Sequence, residues 1–152
     1  MGQAWAPVRV LMAAQASFGP DVLEPLFTAL GTRYHLHQEA KTRATIEAAL
    51  HEVGFPTAIA EAGDTTACDQ ALRESHQEGI TLVGSEAGSP IIAIPGPDSA
   101  HGKVAFFGPV VSPAPAGDQA ARLWDGILAA ASTPGFYEIK RTRTVGPIFD
   151  QA

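Results

Sequence analysis

The side chains with chemical capacity fall in a few short stretches. Asp98, Ser99 and His101 hold the atoms of a nucleophilic triad almost side by side. A working triad draws its members from separate elements that set base beside nucleophile, so these read as turn residues. His35 and His37, with His51 and His76, suggest imidazole ligands. On a helix, side chains at i and i+2 do not face each other, so helix-end histidines in solvent are expected and no metal site. Arg33 and His35 have an alternative reading as contacts to an anionic or polar ligand. Cys68 is the only cysteine, which excludes an internal disulfide, a CxxC redox pair and a Cys-rich zinc site. It reads as a small core residue, and no catalytic residue is expected in this chain. The run 84–88 lacks the Lys-Ser/Thr of a phosphate-binding loop. Lys140, Arg141 and Arg143 place three of the ten basic residues in one run, which alone reads as a solvated tail.

The stretch around which the rest is arranged is Gly88-Ser89-Pro90 running into Ile91-Ile92-Ala93-Ile94. Pro at the first residue of a strand loses no needed ladder donor. Read alone, Ser89-Pro90 is a trans turn before a strand, although a cis X-Pro bond costs only about 0.5–1 kcal/mol more.

The elements that position these residues follow from periodicity. Trp5, Val8, Leu11, Met12 and Ala16 share a helical face over 4–17, ended by Gly19-Pro20. Asp21 reads as the N-cap of a second helix carrying Val22, Leu23, Leu26, Phe27 and Leu30, with Gly31 as a bend or end. A third helix covers 41–53 and stops at Gly54. Pro56 opens a short segment to Gly63. Thr66 with Asp69 resembles a capping box for a helix reaching Glu86, in which Gly79 signals a bend or a close packing partner. Residues 91–94 and 104–111 read as two strands of a hairpin, with a bulge or edge position at Gly108-Pro109. Asp118 reads as the cap of a last helix burying Ala121, Leu123, Trp124, Ile127, Leu128 and Ala131.

A chain of 152 residues, 45% hydrophobic and 17% charged, has enough apolar material for a core. Its net charge of −6 argues against a general nucleic-acid surface. No apolar run approaches the ~20 residues of a membrane span. Residues 1–5 lack a basic segment and a signal-like apolar block, so a cytoplasmic location is the default. Asn is absent, and with it any N-glycosylation acceptor.

Six stretches carry a further signal when taken together. Four are Ala4-Trp5-Ala6-Pro7-Val8-Arg9-Val10, the run 26–35 ending in Thr32-Arg33-Tyr34-His35, Ala71-Leu72-Arg73-Glu74-Ser75-His76, and Gly88-Ser89-Pro90-Ile91-Ile92. The more specific pair are Val104-Ala105-Phe106-Phe107-Gly108-Pro109-Val110-Val111-Ser112 and the tail Glu138-Ile139-Lys140-Arg141-Thr142-Arg143-Thr144. Together they resemble the DsbA family of thioredoxin-like oxidoreductases, and within it the actinobacterial mycothiol-dependent nitroreductase branch.

The resemblance implies an α/β, thioredoxin-like fold with a large helical insertion, here lacking the first βα unit. Residues 1–87 are then the helical lid and the helix returning to the sheet. Residues 88–152 are the cis-Pro loop, hairpin, helix and tail. Ser89-Pro90 becomes a cis-Pro loop whose preceding backbone pairs with substrate, and Arg33 and His35 face the pocket near Pro90. The family places a CPWC-type dithiol in the first βα unit, and the expectation is that this chain begins after it. Cys68 is no substitute. The connection 95–103 is longer than the family's tight turn.

The implied function is the C-terminal portion of a mycothiol-dependent reductase, with no bound cofactor and with mycothiol or a similar small thiol as reductant of the complete enzyme. The alternative is a non-enzymatic ligand-binding or assembly module derived from that fold. Expected partners are a small-molecule thiol or substrate, and either a second copy paired through the hairpin or a separate N-terminal half.

Overall fold

Two glycines set the turns between the first helices. In the computed structural model, which describes residues 2–96 and 102–149, helix α1 runs Gly2–Phe18. Gly19 follows with φ 86° and donates its N–H to Gln15 O at 2.9 Å, a conformation that favours glycine. Pro20–Val22 then forms a 3₁₀ turn leading into α2, Leu23–Gly31. Asp21 does not cap a helix as expected. The Gly19-Pro20 corner takes it into the 3₁₀ turn itself, and no side chain caps α2. Helix α3, Arg43–Glu52, is capped instead by Thr42, whose hydroxyl accepts the Thr45 N–H at 3.3 Å. Its far end closes as anticipated at Gly54, with φ 79°. Phe55 N–H donates to Leu50 O and Gly54 N–H to His51 O, the paired bonds that satisfy a helix's last carbonyls. A 3₁₀ segment, Thr57–Asp64, and helix α4, Asp69–Val83, follow.

The chain divides into two compact units, Met1–Ser75 and His76–Ala152, with the division inside α4. The buried core belongs to the first unit. Val10 and Ala14 of α1, Leu26, Ala29 and Leu30 of α2, and Ile46, Ala49 and Leu50 of α3 close around Val22 and Ala60. Each fully buried aliphatic side chain contributes about 1.5–3 kcal/mol. Phe18 and Phe55 meet at 5.1 Å at its margin. The Thr66–Asp69 capping box is not made, because the Asp69 carboxylate is bound to Arg9 at 2.6 and 2.8 Å.

The second unit is a β-hairpin with helices against it. Strand β1, Ile91–Pro95, pairs antiparallel with β2, Lys103–Phe107, with Ile91 opposite Phe107 and Ile92 opposite Phe106. A Cβ added at Gly79 of α4 would stand 3.3 Å from Ile91 Cδ1. The expected close partner of Gly79 is therefore the hairpin face that carries Ile91. On the other face, Phe106 meets Trp124 of α5, Gly117–Ala131, with ring centres 6.5 Å apart.

Four expectations need correction here. Helix α4 stops at Val83 and not near Glu86, because Gly84 takes φ 92°. Strand β2 stops at Phe107, because Gly108 takes φ 100° and Pro109 lacks a donor. Asp118 lies in the first turn of α5 and caps nothing. The apolar stripe of that helix is also not buried: Leu123 and Trp124 are 37% and 39% exposed, since two short strands offer too little surface to cover it. Among the described residues the fold is a mixture of helices and one antiparallel pair of strands.

Candidate functional site

In the first unit, Arg33 and His35 lie where α2 changes pitch. Gly31 keeps helical angles, and the chain continues into a wider turn, Thr32–Leu36. His37 N–H reaches back to Thr32 O at 3.0 Å, a five-residue step. Such π-type turns insert a residue and recur at functional sites. Arg33 donates to Glu39 at 3.1 Å and to Glu52 at 2.7 Å. Its Nε and the Tyr34 hydroxyl are both shielded from solvent without a hydrogen-bond partner among the described residues. Burial raises the Tyr34 pKa, helped by the charge of Glu39, which keeps the phenol neutral and able to donate. The Lys41 ammonium sits 5.6 Å from the Tyr34 ring centre. His35 is exposed, and His37 lies 3.6 Å from Glu39.

A second polar cluster in that unit escaped the sequence reading. Arg9 donates from Nε and Nη2 to the two carboxylate oxygens of Asp69 and from Nη1 to Gly63 O at 3.3 Å. The Trp5 ring lies between two guanidinium groups, Arg9 at 5.8 Å and Arg73 at 5.3 Å. The hydrogen bond from Arg9 holds the Asp69 carboxyl below the usual carboxylate range, with the charges of Arg9 and Arg73 adding to it. Cys68 is half-buried beside this pair, and its carbonyl accepts the Leu72 N–H at 3.0 Å in the first turn of α4. The signal available in the sequence was the i, i+4 spacing of Trp5 with Arg9 and of Asp69 with Arg73 on two helices. Nothing in it said that the helices meet.

In the second unit, Ser89 and Pro90 form the corner that opens β1. Gly84 ends α4, and Gly88 lies under the Phe107 ring, 3.6 Å from where a Cβ would stand. The Ser89–Pro90 peptide is cis, as are Gly108–Pro109 and Ser112–Pro113. Pro90 O accepts the Gly108 N–H at 2.8 Å, so the corner is tied to the end of β2. Ser112 ties down the tail. Its hydroxyl donates to Gly146 O at 3.1 Å and accepts the Ile148 N–H at 2.7 Å.

The other sequence candidates have plainer surroundings. Asp98, Ser99 and His101 lie outside the described residues. No group of histidine, cysteine and carboxylate residues able to hold a metal occurs among the described residues. Lys140, Arg141 and Arg143 are exposed. No helix among the described residues is long and apolar enough to cross a membrane.

The family described as Rv2466c-like, mycothiol-dependent nitroreductase Rv2466c, matches residues 1–141. The chain belongs to that family. Its class is therefore an oxidoreductase one, with a small thiol, mycothiol, as the family's reductant.

Proposed function

We propose that this chain is the substrate-side portion of a DsbA-like, thioredoxin-fold reductase that works with mycothiol, and that the redox dithiol sits on polypeptide other than these 152 residues. The observation that carries the reading is the cysteine count. Thiol–disulfide exchange through a dithiol needs an attacking and a resolving thiol, and Cys68 is alone. Cys68 also stands in the helical unit beside Arg9 and Asp69, away in sequence from the Ser89–Pro90 corner.

In this reading residues 1–87 are the lid and, in α4, the helix returning to the sheet, and residues 88–152, with the β1–β2 hairpin, α5 and tail, are the C-terminal half of the thioredoxin-like domain. Ser89 and Pro90 offer backbone to the substrate. Arg33 and His35 offer donors to its oxygens, Arg33 from a guanidinium already oriented by Glu39 and Glu52. The complete enzyme binds no flavin or metal. Its dithiol gives two electrons and two protons to the acceptor, and two molecules of the small thiol then reduce the resulting disulfide by exchange, leaving as their own disulfide. The setting is cytoplasmic, where small thiols keep dithiols reduced.

The test is reconstitution. The chain is mixed with, or fused to, a segment containing a strand and a CPWC-type dithiol, and mycothiol-driven nitroreduction is measured. Activity that requires both parts, and falls more with His35→Ala than with His51→Ala, supports the reading. Tight substrate binding with no turnover in the reconstituted protein favours the alternative, a binding or assembly module derived from the same fold.

A further inference from the structure

Two neighbouring donors in the Thr32–Leu36 turn bind nothing in the first unit. Arg33 Nε–H and Tyr34 O–H are both shielded from solvent, and neither has a hydrogen-bond partner among the described residues. A buried donor that has lost water without a replacement destabilises the fold, and native structures hold few of them. Here two stand on consecutive residues, inside the π-type turn that ends α2. The function proposed above uses Arg33 and leaves the phenol of Tyr34 without a role.

Both donors are held in place. The Tyr34 ring packs against the core of its unit, and burial keeps its hydroxyl neutral and able to donate. The Arg33 guanidinium is tied at its other two nitrogens, Nη1 to Glu39 at 3.1 and 3.4 Å and Nη2 to Glu52 at 2.7 Å. Donors fixed in this way bind an acceptor without a further ordering cost. Lys41 is exposed and lies over the Tyr34 ring at 5.6 Å. That contact is weak at an exposed site, so the lysine can lift away and admit a ligand.

The charge at the turn selects the ligand. Glu39 and Glu52 balance Arg33 and Lys41, with His35 and His37 neutral. A carboxylate entering beside Glu39 adds a like charge that nothing at the turn offsets. A nitro group is planar like a carboxylate and has two acceptor oxygens, yet its net charge is zero.

We propose that Arg33 Nε and the Tyr34 hydroxyl are the donors that take the two oxygens of the substrate's nitro group, and that the balanced charge around them makes Tyr34 a specificity-determining residue, selecting neutral nitroarenes over isosteric carboxylates. This deepens the function proposed above and rests on its assignment of Arg33 to the substrate.

The test is a nuclear magnetic resonance titration of the full chain with para-nitrobenzyl alcohol and with para-(hydroxymethyl)benzoate, at about pH 8, where ordinary imidazoles are neutral. No dithiol takes part, so the result is independent of the reconstitution assay and of where the redox thiols lie. Wild type is expected to bind the nitro compound roughly tenfold or more tightly than the carboxylate, with a shift of the Arg33 Nε–H signal. Tyr34→Phe is expected to weaken the nitro compound roughly three- to tenfold. Its urea midpoint is expected to stay at or above that of wild type, because the variant removes a buried donor that had no partner. Absence of binding by wild type overturns the proposal. So does equal affinity for the two compounds, an unmoved Arg33 Nε–H signal, or unchanged nitro affinity in Tyr34→Phe. A Tyr34→Phe midpoint well below that of wild type also overturns it, since the hydroxyl would then be holding structure and not ligand.

Discussion

Two glycines in the middle of helices allow the packing of α4 on the hairpin to be measured. Gly79 of α4 has Ile91 Cδ1 at 3.3 Å and Cγ2 at 3.8 Å from the place of an added Cβ, whereas Gly126 of α5 has nothing within 4 Å. Replacing an interior helical Gly by Ala gains about 1 kcal/mol from propensity. Gly126→Ala should show that gain in full, and Gly126→Leu nearly as much, because Leu is almost as good a helix former. At Gly79 the same gain is opposed by contact. One methyl at 3.3 Å asks a terminal Ile91 carbon to yield by a few tenths of an ångström, so Gly79→Ala should come out near neutral. Leu adds three more carbons where Ile91 already sits, and overpacking of this kind costs about 1–3 kcal/mol. Gly79→Leu is therefore expected to destabilise by up to about 2 kcal/mol after the propensity gain is subtracted. Urea unfolding followed by the far-ultraviolet signal and, in a Trp5→Phe background that leaves Trp124 as the single tryptophan, by fluorescence gives the four values. Equal stabilisation by Gly79→Leu and Gly126→Leu would refute the packing of α4 on Ile91, and with it the account of a hairpin with a helix against each face.

The remaining predictions concern the helical unit. Leu50→Ala empties a fully buried position and should cost about 2–5 kcal/mol in urea unfolding; a loss below 1 kcal/mol would mean that the core is not closed there. Thr42→Ala removes the cap of α3 and the Thr45 contacts, with an expected loss of about 1 kcal/mol. Tyr34 is held neutral by burial. Its folded-state pKa lies above the unfolded value, so the folded form binds the proton more tightly and stability falls as pH rises past ~10. In Tyr137→Phe, which leaves Tyr34 as the single tyrosine, phenolate absorbance should appear only above that value and shift back when the protein is unfolded.

The sequence carried the local punctuation well. Gly19 and Gly54 stop helices because each takes a positive φ that few other residues adopt, and such signals need no knowledge of the partner element; Gly84 carries the same signal and was passed over for a helix reaching Glu86. Gly79 marked a close approach for a different reason, its missing Cβ, which leaves room for Ile91. The failures come from competition at a distance and from local turns. Asp69 looked like half of a capping box until Arg9, sixty residues earlier, took its carboxylate. Asp21 and Asp118 had the right chemistry for caps, but Asp21 falls inside the 3₁₀ turn ahead of α2 and Asp118 is the second residue of α5, two past its N-cap Ala116. The stripe on α5 was read correctly as amphipathic, yet its burial depends on how much sheet there is to cover, which periodicity does not report. The same limit applies to the site. Ser89-Pro90 stood out because a Pro corner leads directly into an apolar strand. The ion pairs that orient Arg33 reach Glu39 and Glu52, and only the folded turn and α3 bring those carboxylates to it. The family resemblance was legible in short stretches spread over the chain, and the match over residues 1–141 bears it out.

The central claim is that the redox thiol pair of this reductase is not within these residues. It is tested most directly by mycothiol-dependent reduction of a nitroaromatic, followed by absorbance, with the isolated chain and with Cys68→Ser. Rates for both that equal the protein-free control are the predicted result. Turnover by the wild-type chain that disappears in Cys68→Ser would show a single-thiol mechanism at Cys68 and contradict the account.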